Sequence, residues 1–100
     1  MAMTIVLQDE RGTRIERVDD PTNALASCLL GAGMQCGCLR YIDPYGDTVF
    51  NRLQLEDVLR ELEALSATAP TEGHALLDQV AGLARRGLAE PHRYLKFIGD

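Results

Sequence analysis

Leu55, Val58, Leu59, Leu62 and Leu65 recur at intervals of three and four, the spacing that places apolar side chains on one face of an α-helix. After a short break the spacing returns in Leu76, Leu77, Val80, Leu83 and Ala84. Both stripes are expected to face the core, from two helices laid over one face of a sheet. Asn51 and Gln54 stand at the spacing of a capping box, so the first of these helices starts just after Asn51. Ser66 to Thr71, with Pro70, forms the linker; Thr71 can cap the second, and Pro91 prevents that helix from continuing.

That sheet is supplied by segments that alternate with a period of two. Met3 to Gln8 is β-branched and apolar, Asp9-Glu10-Arg11-Gly12 carries a turn signal, and Thr13 to Val18 places Ile15 and Val18 among charged residues, which together predict an N-terminal hairpin. Cys38 to Ile42 and Thr48 to Phe50 flank Asp43-Pro44-Tyr45-Gly46-Asp47 and predict a second hairpin. His92 to Ile98 alternates as a final strand, and the size of Leu95 and Phe97 suits a central position in the sheet. Asp20 and Pro21 offer a cap and a first helical residue for a short helix from Pro21 to Leu30, stopped by Gly31-Ala32-Gly33. The expected fold class is α+β, with a mostly antiparallel sheet, helices packed on one face and the order ββαββααβ. One hundred residues give enough chain for one core, so residues 1–100 are expected to form a single domain.

Several chemistries are disfavoured by what the sequence lacks. No apolar run approaches the roughly 20 residues of a membrane span, and Met1 to Leu7 has no basic leader, so a cytoplasmic location is expected. Three cysteines cannot close a disulfide framework. Cys36-Gly37-Cys38 with Cys28 does not have zinc-site spacing, and neither His74 nor His92 has a local signature placing it beside a thiol. Packing accounts for Cys28 and Cys38, whereas Cys36 is expected to be exposed. His74 is expected to bond free backbone groups near its helix start. The glycines of Gly31 to Gly37 follow a helix and precede a strand, the reverse of a phosphate-binding loop, and no lysine accompanies them. No metal, no cofactor and no catalytic group are expected. A small enzyme using Cys36 and His92 is the weaker alternative.

The informative stretch is Tyr41 to Asn51, YIDPYGDTVFN. Asp43 and Asp47 suit the turn's own hydrogen bonds, with Gly46 supplying a positive backbone angle. Tyr45 is then left at the tip as a large amphipathic ring, a residue type common at the centre of protein contacts. Charge gathers around it, because Tyr41 to Glu63 holds six acids (Asp43, Asp47, Glu56, Asp57, Glu61, Glu63) against Arg52 and Arg60. The whole chain carries −5, which disfavours nucleic acid and anionic membrane and favours a basic partner. Asp43, Tyr45, Asp47, Glu56, Asp57, Glu61 and Glu63 are therefore the expected contact residues for a protein partner.

The blocks LRYIDPYGDTVFNRLQ (Leu39 to Gln54) and YLKFIGD (Tyr94 to Asp100) resemble those of a set of short, mostly uncharacterised bacterial proteins, through about a quarter of the 100 residues. In size, acidity and lack of a catalytic signature the chain is similar to small immunity proteins of contact-dependent growth inhibition systems. The resemblance implies a protein that binds and neutralises a cognate toxin domain, expected to be a basic nuclease; it attaches no role to any single residue. A scaffolding or regulatory module would use the same surface on another partner. Exposed strand edges also allow a homodimer.

Overall fold

A computed structural model describes residues 2–31, 37–69 and 71–99. The architecture is the expected α+β arrangement: a four-stranded antiparallel sheet under two long helices. Strands β1 (Met3–Asp9) and β2 (Arg14–Asp20) form the N-terminal hairpin, α1 (Ala24–Gly31) follows, and β3 (Asp47–Phe50) leads into α2 (Arg52–Thr68). Helix α3 (Thr71–Ala89) then returns the chain to β4 (Arg93–Gly99). The sheet order is β2-β1-β4-β3, so the last strand is central, wedged between β1 and β3.

Register sorts the side chains. Ile5 lies opposite both Val18 and Phe97, and Leu7 opposite Leu95, which itself faces Phe50. These residues point to the helices, and there the stripe of α2 (Leu55, Val58, Leu62, Leu65) and that of α3 (Leu77, Val80, Leu83, Ala84) complete one core. Phe50 and Phe97 meet edge to face, 5.7 Å between ring centroids. Among the described residues, no helix lies over the opposite face of the sheet. Val6 is nevertheless buried there, with Arg17 and Lys96 as its register neighbours.

Four local expectations need correction. Cys38 to Ile42 is not a strand: Leu39–Tyr41 forms a 3₁₀ turn, η1, and β3 spends its inner bonds on β4 instead. Gly46 has no positive φ; its role is room, since a Cβ would stand 2.8 Å from Asp43 Oδ2. Helix α1 begins at Ala24 rather than Pro21, because the Asp20 carboxylate accepts from Ala24 N and Leu25 N at 2.8 and 2.9 Å while Asn23, at φ +57°, turns the chain into the helix. The linker is shorter than expected, as α2 runs on to Thr68. The capping box of Asn51 and Gln54 is formed in both directions. Cys36 and most of the proposed Gly31 to Gly33 stop lie outside the described residues. No helix among the described residues is long and apolar enough to cross a membrane.

Candidate functional site: a clamped turn beside an acidic helix

The chain between η1 and β3 is fixed by its own polar groups. Asp43 O accepts from Gly46 N at 3.3 Å, and Asp43 Oδ1 accepts from Tyr45 N at 2.9 Å, the bonding expected of aspartate at the head of a tight turn with proline second. Asp43 N donates to Thr48 Oγ1 at 3.0 Å, and that hydroxyl in turn donates to Tyr41 O at 3.4 Å. One threonine side chain thus ties the two arms together where a strand ladder was expected.

The turn is also seated on the end of β4. Gly99 N donates to Gly46 O at 2.7 Å, and a Cβ on Gly99 would stand 2.5 Å from the carbonyl carbon and oxygen of Pro44. The two sequence blocks singled out above are therefore in physical contact, main chain against main chain. On this base Tyr41 and Tyr45 are 64% and 70% exposed. Arg40 lies 4.7 Å over the Tyr41 ring and donates to its hydroxyl.

The seven expected contact residues do not form one platform. Successive residues of a helix are separated by about 100°, so Asp57 and Glu61 lie on the flank of α2 that faces η1, and Glu56 and Glu63 lie on the flank toward α3. The bonding agrees. Glu61 accepts from Cys38 N (3.1 and 3.0 Å) and Leu39 N (2.9 Å), whereas Glu63 pairs with Arg85 of α3 at 3.6 Å. Asp57 pairs with Arg60 and Asp47 with Lys96, at 2.9 and 3.4 Å. Glu56 is exposed and makes no ion pair among the described residues. Exposed pairs of this kind contribute about 0 to 1 kcal/mol each and exchange readily with a partner's charges.

Glu61 is different in kind. Its carboxylate caps η1 with charge-assisted bonds from a half-buried position, so it positions the turn. Sequence reasoning missed this, because the amides it serves are 22 and 23 residues away and no local spacing marks them. Glu61→Ala is expected to cost roughly 1 to 3 kcal/mol, the cost of leaving half-buried N–H groups without partners. Urea unfolding would read it, and loss of protection from hydrogen exchange at Cys38 and Leu39 would localise it.

The thiols and histidines have structural uses. Burial pushes the Cys38 thiol above its ordinary range, the Glu61 and Asp57 carboxylates push it the same way, and Arg40 opposes them. Cys28 is raised by burial and then by Asp20, and its sulfur packs against Gly73, where a Cβ would come within 2.9 Å. Both thiols are poor nucleophiles at neutral pH. His74 Nε2 bonds Ala69 O at 2.8 Å, joining the end of α2 to the start of α3. His92, at φ +62°, makes the bend between Pro91 and β4 beside Asn51, Arg52 and Leu53; the residues lining that recess include no carboxylate. No group of three metal-ligating side chains occurs among the described residues. Compared with protein-family models, with curated proteins and with solved structures, the chain matches none.

Proposed function

We propose that this chain is a non-enzymatic interaction protein, most specifically an immunity protein that binds a basic, nuclease-type toxin domain and covers its active cleft. The observation that carries the reading is the pair of exposed tyrosines, Tyr41 and Tyr45, held on a turn whose backbone is already bonded within the fold. Aromatic side chains on a fixed base lose little freedom on docking and supply the buried centre of a protein contact. Asp43 heads the turn that carries Tyr45, Asp57 lies near Cys38 at the head of η1, and Asp47 stands one residue beyond the turn. Glu56 and Glu63 lie round the helix and contribute chiefly to the negative field that draws a cationic partner in. Glu61 belongs to the scaffold beneath.

The test is calorimetric titration of the chain against the candidate toxin domain over a range of salt concentrations. Tyr45→Ala is expected to weaken binding by roughly 10- to 100-fold, the loss typical of a central aromatic contact. Asp57→Lys should act mainly by slowing association, and its effect should shrink as salt screens the field. Full affinity in both variants, with the far-UV spectrum unchanged, removes the turn from the interface. Charge reversal at Glu61 is unsuitable for this purpose, since it disturbs η1 itself.

A further inference from the structure

We infer that two copies of this chain pair through β2 across a twofold axis at Val18, extending the sheet to eight strands. The direction of every peptide group in the sheet follows from two main-chain bonds. Gly99 N bonds Gly46 O, so odd residues of β4 bond toward β3 and even ones toward β1. Even residues of β1 therefore answer β4 and odd ones bond toward β2, in agreement with the Asp9 N to Thr13 O bond at the hairpin. Glu16 and Val18 bond inward, opposite Leu7 and Ile5. Arg17 and Asp19 are left with N–H and C=O directed out of the sheet edge.

The occupant follows from charge. When two copies pair edge to edge and antiparallel, a residue facing the helices must lie opposite another that does so, and the axis must pass through one residue of β2. Placed at Arg14, Glu16, Arg17, Asp19 or Asp20, it sets like charges against each other, which is destabilising; placed at Ile15, it falls on the bulge where the register with β1 shifts and the edge is distorted. At Val18 it sets Arg17 opposite Asp19 of the second copy, twice. In that register the outward peptide groups of Arg17 and Asp19 also exchange main-chain bonds with their counterparts. Arg17 already holds Asp19 of its own strand at 2.8 Å, so the contact becomes a network of four charges. Like charges at the axis and the bulge at Ile15 thus leave Val18 as the position whose two flanking residues meet opposite charges.

Room exists on the helix side. An open groove of about 520 Å³ runs between β2 and α3, with Val18, Gly82 and Leu83 on its apolar surface and Glu16 paired with Arg86 beside it. A Cβ on Gly82 would meet nothing within 4 Å. The second copy's Val18 enters this space. Glu16 comes opposite the second copy's Asp20, but both carboxylates are already engaged, one by Arg86 and the other by the α1 amides. The other edge is a poorer candidate, because β3 has four residues and Thr48 ties the Tyr41–Asp43 arm alongside it.

Sedimentation equilibrium of the full chain tests this, and a dimer is expected. Arg17→Asp should weaken it by at least about tenfold, since it opposes two pairs of like charge. Adding Asp19→Arg to that variant should restore the dimer by exchanging the two partners. Val18→Cys should cross-link copy to copy on mild oxidation, because a central pair that is not hydrogen-bonded brings the two Cα atoms to about 4.5 Å. A chain that sediments as a monomer at every concentration overturns the inference. So does a dimer indifferent to Arg17→Asp, or a folded double variant that stays dissociated.

Discussion

Leu95→Ala is expected to lower the free energy of unfolding by about 2 to 5 kcal/mol, the range for truncating a fully buried leucine. Leu95 has no exposed surface and sits mid-strand in β4, with Leu7 opposite on one side and Phe50 on the other. Both neighbours are fixed by backbone ladders, so the space left by three lost carbon atoms cannot close by a simple side-chain shift. A domain of this size has a total stability of roughly 5 to 15 kcal/mol, and the variant should therefore approach unfolding at moderate temperature. Urea denaturation followed by circular dichroism measures the change. A loss under about 1 kcal/mol would mean that the site collapses freely, which is incompatible with a rigid central strand.

Gly99→Ala should be nearly as damaging, for the opposite reason. It adds one methyl group where three backbone atoms, Pro44 C and O and Asp43 O, stand at 2.5 to 2.6 Å. A flexible side chain could move away from such a group, but main chain cannot without carrying its element along. Turn and strand end must part, and the Gly99 N to Gly46 O bond goes with them. Overfilling a packed site costs about 1 to 3 kcal/mol, and the absence of any yielding atom puts this case at the top of that range. The accompanying sign is local: the amide resonances of Tyr45 and Gly46 should shift and broaden while those of α3 stay in place. Unaltered Tyr45 and Gly46 resonances would contradict the seating of the turn on β4.

The parts of the fold legible in the sequence are those whose cause is local. The stripes of α2 and α3, the capping box at Asn51, the N-terminal hairpin and the alternation of β4 each follow from spacing within a few residues. The tight turn at Asp43 was readable too, because aspartate and proline each have a mechanism there, although Gly46 serves it by leaving room and not by a positive backbone angle. What escaped was decided at a distance. Cys38 to Ile42 has the composition of a strand, yet β3 had already given its inner edge to β4, and the amides at the head of η1 are claimed by Glu61. The acidic excess was legible as a total charge but not as an arrangement, because a helix carries residues 56 and 57 round to different neighbours. Gly99 gives no sign in the sequence of the turn that rests on it.

That resting contact leaves the turn's tip unusually open to change. Pro44 and Asp43 meet Gly99 through carbonyl groups that every amino acid possesses, so the Tyr45 ring takes no part in holding the turn. Replacement of that ring should leave the fold intact while altering what the tip fits. Under the proposed function, a lineage whose partner keeps changing its surface can follow by varying this one position, with the cost falling on recognition and none on the framework beneath.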